Sequence, residues 1–194
     1  MSAAILAGGR AARFGGRDKS AIVVDGRTIL ERQIDAIRPL TDDILIVGAA
    51  AHPAARSIAD RVVECGPLGG LDAALAAARD ESVIVLACDM PFVTSDFLAH
   101  LVDVAAHECS AGAEPVLAVV PRTERGYHPL CAVYRRAAAE SVARRLAERR
   151  LKMTDLLATL RVRVVEAAEI ERFGDRHRLL ANVNTPSDLA RHEL

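Results

Sequence analysis

Three observations predict an α/β fold in which a single domain, residues 1–194, winds helices onto both faces of a mostly parallel sheet. Short apolar, β-branched runs recur at residues 44–47, 61–63, 82–86 and 116–120. Alanine-rich stretches with helical spacing separate them, and glycine- or proline-punctuated segments follow several of the strands. Strands alternating with helices in this way form a doubly wound sheet whose two faces are both covered.

The elements follow in order. The N-terminal apolar run ends at Leu6-Ala7 and is the first strand. Residues 21–24 predict a short strand entering a tight turn at Asp25-Gly26. Thr28 then caps a helix, with Glu31 completing a capping box. The run 61–63 reads as a further strand, and Cys65-Gly66-Pro67-Leu68-Gly69-Gly70-Leu71 as the loop opening a helix over 72–78. The most hydrophobic strand ends in Ala87-Cys88-Asp89-Met90-Pro91. Thr94-Ser95-Asp96 starts the next helix, with Leu98, Leu101, Val102 and Ala105 on its buried face. Residues 135–150 predict a helix that is basic on one side, Val162–Val165 a strand, and 186–192 a terminal helix after Thr185.

Composition narrows the function. A chain of 194 residues that is 51% hydrophobic can bury a sizeable core. Its formal net charge of −1 leaves no electrostatic footprint for nucleic acid or an anionic membrane surface, so any anion binding is local. Cysteines at 65, 88, 109 and 131 show no C-x-x-C spacing, which predicts reduced thiols and no structural zinc. No signal peptide or membrane span is recognisable, and the expected location is cytoplasmic.

Chemistry is expected at the carboxyl ends of the parallel strands. After the first strand come Gly8, Gly9, Arg13, Gly15, Gly16, Asp18 and Lys19. Glycine backbone can approach phosphate closely while Arg13 and Lys19 supply positive charge. The spacing is neither a dinucleotide G-x-G-x-x-G nor a Walker A loop. Gly66, Pro67 and Leu68 precede a helix whose free N–H groups suit a nucleotide. Asp89, at a strand end, offers a hard oxygen for Mg²⁺ bridging triphosphate oxygens.

These motifs, with His128-Pro129-Leu130 and Asn182-Val183-Asn184-Thr185-Pro186, resemble the molybdenum cofactor guanylyltransferase (MobA) family over nearly the whole chain. The resemblance implies a Rossmann-like nucleotidyltransferase fold and transfer of GMP from Mg·GTP to the phosphate of molybdopterin. It implies that Leu6, Ala7, Gly8 and Gly9 contact the guanine nucleotide, that Arg13 and Lys19 hold the phosphates, and that Asp89 holds Mg²⁺. It places Asn182 and Asn184 on the pterin side, and gives His128 a part in shaping the acceptor site. Arg149 and Arg150, with Lys152, form a basic cluster suited to the pterin phosphate. Implied partners are proteins that hand over molybdopterin and molybdoenzymes that take the product.

Two departures from the family pattern are expected. Where the family carries an aspartate at the end of the third strand, just before the Gly-Pro-Leu run, this chain has Cys65, and an asparagine expected at the end of the second strand is replaced in the region Val47-Gly48. A thiol accepts ring N–H donors poorly, which predicts a narrow margin for GTP over ATP, widened by Cys65→Asp. The residues alone leave two alternatives: the same fold using CTP or a sugar phosphate, or an adaptor that binds nucleotide without turnover.

Overall fold

The computed structural model describes residues 1–7, 21–48, 50–62, 64–108, 115–185 and 188. In chain order the elements are β1 (Ser2–Ala7), β2 (Val23–Val24), β3 (Arg27–Thr28), α1 (Ile29–Ile37), β4 (Ile44–Gly48), β5 (Arg56–Ile58), α2 (Gly66–Ala77) and β6 (Ser82–Ala87). They continue as α3 (Ser95–His107), β7 (Ala118–Thr123), β8 (Gly126–Tyr127), β9 (Cys131–Arg135), α4 (Ala139–Ala147), α5 (Met153–Leu157), β10 (Val162–Val165), α6 (Ala167–Ile170) and α7 (Arg176–Leu179).

The main sheet runs β10-β7-β9-β6-β1-β4-β5, with β8 hairpinned onto β7. β1 lies parallel to both β4 and β6, β5 is parallel to β4, and β10 is parallel to β7. Only β9 reverses among these seven, antiparallel to both β6 and β7. Side-chain alternation sorts the strands into two cores. Ala3, Ile5, Ile84 and Leu86 pack under α1 and α3, against Ile34, Phe97 and Leu101. Ala4, Leu6, Val83 and Val85 face the other way, against Leu68 and Leu71 of α2, Val142 of α4 and Leu156 of α5. The doubly wound, mostly parallel architecture is therefore the one the sequence predicts.

Local expectations hold where the signal is short-range. Asp25 and Gly26 take φ of 50° and 76°, the conformation a tight β2–β3 turn requires. Thr28 caps α1 and Glu31 reciprocates on the Thr28 backbone N–H at 2.8 Å. Thr94 caps α3, whose buried face is Phe97, Leu98, Leu101 and Ala105, with Val102 turned partly outward.

Four boundaries differ. The strand expected at 61–63 is Arg56–Ile58, paired with Leu45, Ile46 and Val47. Arg56 fixes that register by donating to Asp43 and to the Ala77 carbonyl, and by Arg61 the chain has left the sheet to pair with Asp72 at 3.3 Å. The helix expected at 72–78 begins at Gly66, so the glycine-rich segment is its first turn rather than a loop before it. The strand expected at 116–120 becomes Ala118–Thr123. The long basic helix divides: Arg135 ends β9, Arg136–Ala138 make a 3-10 turn, and α4 ends at Ala147. The terminal helix at 186–192 lies outside the described residues except Asp188, whose N–H donates to Thr185 Oγ1 at 3.1 Å. Among the described residues no helix is long and apolar enough to cross a membrane.

Candidate active site

A cleft of about 580 Å³ opens where β1, β4 and β5 end. Leu6 and Val47 line it from the strand ends, and Asp60 and Val62 from the segment after β5. Cys65, Gly66, Pro67 and Gly70 line it from the start of α2, and Arg149 from beyond α4. Small residues let α2 approach this closely. A Cβ on Gly70 would stand 3.3 Å from the Leu6 side chain, and one on Gly69 would stand 3.0 Å from the Val62 carbonyl oxygen. No side chain caps α2 and no carboxylate sits in its first turn, so its positive end is available to an anionic or dipolar ligand.

Beside this cleft, one strand further along the sheet, the segment after β6 presents Asp89. Its backbone is tied from several directions. The Cys88 N–H donates to the Leu6 carbonyl at 3.2 Å, and the Ala87 N–H to Leu130 at 2.8 Å. Gln33, buried on α1, donates its amide to the Ala87 carbonyl at 2.7 Å and to the Met90 carbonyl at 3.1 Å, bracketing the two residues between. Arg32 Nε donates to the Pro91 carbonyl at 3.0 Å. From the far end of the chain the Val183 N–H donates to the Asp89 carbonyl at 2.7 Å. The Asn182 amide donates to Asp89 Oδ1, also at 2.7 Å.

The reversed strand β9 starts at the edge where the parallel strands end, and so brings His128 to that edge. His128 Nε2 lies 2.9 Å from Thr123 Oγ1. Burial, and then the nearby Arg125, hold its pKa below the ordinary histidine value against the opposing pull of Glu124.

The sequence-derived candidates divide accordingly. Leu6, Gly66 and Pro67 meet at the cleft, Ala7 ends β1, and Leu68 points into the core beneath α2. Asp89 and Asn182 are in contact, and the Asn184 N–H donates to Asp188 Oδ2 at 3.1 Å. Gly8, Gly9, Arg13 and Lys19 lie outside the described residues. Arg149 and Arg150 have different neighbours: Arg149 lines the cleft with its Nη1 3.6 Å from Cys65 Sγ, whereas Arg150 Nη1 lies 3.7 Å from Glu148. Cys65 is the residue before α2 and 1% exposed, not the end of a strand. With β5 ending at Ile58, the first carboxylate beyond that strand in the cleft is Asp60, and Glu64 lines the same cleft just before α2. The sequence reading missed Asp60 because it put the strand at 61–63, which leaves Asp60 before that strand rather than beyond its end. It also missed Gln33, whose signal is an amide on the apolar stripe formed by Ile29, Leu30, Ile34 and Ile37.

Comparison with known proteins accounts for this arrangement. Residues 3–164 match the model of the MobA-like NTP transferase domain. A molybdenum cofactor guanylyltransferase of Desulfosudis oleivorans is 31% identical, with 97% of this chain and 92% of the relative covered. One from Pseudomonas aeruginosa is 32% identical over the same shares. The crystal structure of molybdopterin-guanine dinucleotide biosynthesis protein A from Archaeoglobus fulgidus superposes with a TM-score of 0.79 at 28% identity, covering 100% of this chain and 97% of that one. A 2-C-methyl-D-erythritol 4-phosphate cytidylyltransferase from Thermus thermophilus shares the fold at 20% identity and a TM-score of 0.69. A strand-end cleft beside a tethered aspartate, in a chain aligned almost end to end with these relatives, identifies the protein as a nucleotidyltransferase of the MobA-like NTP transferase family.

Proposed function

We propose that the protein transfers GMP from GTP to the terminal phosphate of molybdopterin, forming the guanine dinucleotide and releasing pyrophosphate. The carrying observation is the contact between Asp89 and Asn182, which joins the strand-end aspartate to the Asn-Val-Asn-Thr segment beside a nucleoside-sized cleft. In this reading the cleft takes the base, and the Asp60 carboxylate accepts from the guanine N1–H and N2–H₂ groups.

The acceptor phosphate is largely ionised at neutral pH, its second pKa being about 6. It needs no general base. One of its oxygens attacks the α-phosphorus of GTP, a new P–O bond forms, and the bond to the bridging oxygen breaks with its electron pair leaving on pyrophosphate. What the protein supplies is alignment and charge. His128, held largely neutral, can present an N–H or a lone pair to the acceptor while Thr123 meets its other face.

The donor set around Asp89 suits Mg²⁺. Asp89 offers one hard carboxylate at a strand end, and Mg²⁺ is usually bound by one or two carboxylates together with substrate phosphates and water. Asp89 would hold the ion, which on binding would neutralise charge on the triphosphate. Asn182, on Oδ1, keeps the carboxylate from rotating. Arg13 and Lys19 belong with the phosphates in this reading, and the cytoplasm, where GTP is, is the compartment we assign.

The test is turnover with molybdopterin, Mg²⁺ and each of GTP, CTP and ATP. GTP is expected to give pyrophosphate and the dinucleotide fastest. A higher rate with CTP would move the assignment to the cytidylyl branch of the fold. Tight Mg·GTP binding with no pyrophosphate release would make the protein an adaptor.

A further inference from the structure

We propose that Arg149 is a specificity-determining residue that reads the acceptor edge of the guanine base, O6 and N7, in the cleft it shares with Asp60. The inference rests on the guanylyl-transfer reading above and adds to it the group that distinguishes guanine from adenine.

Three features of this one residue converge. Its φ is 57°, because it ends α4 in a Schellman turn, with the Arg149 N–H on the Leu146 carbonyl at 3.1 Å and the Arg150 N–H on the Arg145 carbonyl at 2.9 Å. That turn carries the side chain across to the start of α2, where it lines the same cleft as Leu6, Val47 and Asp60. Its guanidinium lies 3.6 Å from Cys65 Sγ, in the cleft that Asp60 and Glu64 also line. A thiol is a weak acceptor, so this contact orients the guanidinium without using up its donors.

The cleft thus offers two carboxylates that only accept, Asp60 and Glu64, and a guanidinium that only donates. Guanine is the nucleobase that matches both: N1–H and N2–H₂ donate on one edge, and O6 and N7 accept on the other. An arginine fork on O6 and N7 is a strong and selective contact. Adenine places an amino group where O6 would be, so its donors face those of Arg149. Cys65 acquires a purpose here. An aspartate at that position would capture and neutralise the guanidinium, so Cys65→Asp should narrow the margin for GTP over ATP, the reverse of what the sequence alone suggests.

The experiment is calorimetry of Mg·GTP, Mg·ATP, Mg·CTP and Mg·7-deaza-GTP on wild type, Arg149→Gly and Arg149→Lys. Glycine suits the left-handed backbone, and lysine keeps the charge but not the fork. Arg149→Gly should weaken GTP about tenfold to a hundredfold while changing ATP and CTP by less than about threefold. The 7-deaza analogue should bind wild type less tightly than GTP but bind Arg149→Gly as GTP does. Arg149→Lys should recover little. Equal losses for all three nucleotides, or full recovery by lysine, would make Arg149 a phosphate contact and overturn the proposal. So would unchanged GTP binding with a raised KM for molybdopterin, which would place it at the acceptor. Failure of the wild type itself to prefer GTP would instead remove the underlying guanylyl reading.

Discussion

Asp89 and Asn182 are 93 positions apart in sequence and 2.7 Å apart in space. A side chain that fixes a metal-binding carboxylate is worth about tenfold to a hundredfold in metal affinity or activity. Asn182→Ala should therefore raise the Mg²⁺ concentration needed for half-maximal turnover by about that factor, with activity returning at high Mg²⁺. Asp89→Asn should lose about a hundredfold or more in rate without recovery, because the amide is neutral. Restoration of Asp89→Asn by excess Mg²⁺ would contradict its role. At the base, Asp60→Asn replaces an acceptor by a group that also donates. GTP binding should weaken by about 1.5–3 kcal/mol, and xanthosine triphosphate, which carries a carbonyl at position 2, should bind better than GTP. A variant that still prefers GTP would put the donor-edge contact elsewhere. The aspartate at 89 was legible because a turn and a proline follow an unmistakable strand. Asp60 was not, because an edge strand of sequence Arg-Ser-Ile has no apolar run, while the following Arg-Val-Val imitates one.

Elements were legible where one side chain settles the backbone locally. The Thr28–Glu31 box and the Asp25-Gly26 turn are of that kind. The start of α2 is not, since Gly-Pro-Leu-Gly-Gly has poor intrinsic helix propensity and becomes helical because proline suits a first turn and the close approach to β1 excludes larger residues. That closeness can be tested. Gly69→Ala gains about 0.8–1.0 kcal/mol of helix propensity but sets a methyl against the Val62 carbonyl, which can yield only by moving the segment that carries Asp60. Melting temperature should change little while GTP affinity falls severalfold; unchanged affinity would show that this segment adapts freely. The bracing of the Asp89 turn by α1 gives a second expectation. Gln33→Leu leaves the Ala87 and Met90 carbonyls without their donor, at about 1–3 kcal/mol each in stability. It should also raise the Mg²⁺ requirement, a change that general loosening of the core would not produce.

On the scale of the molecule, acid stability turns on the sheet edge opposite the cleft. Burial would raise the Asp43 carboxyl, but hydrogen bonds from Ser2, Arg56 and the Arg79 N–H outweigh it and hold the pKa below the ordinary value. The stabilisation is complete above the unfolded aspartate pKa, about 3.9, and disappears as pH falls through the lower folded value. Denaturation measured from pH 7 down to pH 2 should show this acid loss, and Asp43→Asn should flatten it while lowering stability at pH 7. His128 acts in a higher window: its depressed pKa means the unfolded chain takes up a proton first, so stability also declines as pH drops below about 6.5. The overall layering was legible because strand and helix periods alternate so regularly. The reversal of β9 was not, since periodicity carries no direction. The Val183 bond to the Asp89 carbonyl has a consequence in time as well as in space. Synthesis runs from the N-terminus at about 5–20 residues per second, so β1, β4, β5, α2 and Arg149, which together carry the lining of the cleft, are all made before residue 182. The residues that tie down Asp89, Asn182 and Val183, are made after all of these. If the cleft takes the base as proposed, GTP present during translation should raise the yield of folded chain even when synthesis stops short of Asn182, and equal yields with and without GTP would show that the cleft needs the later segment.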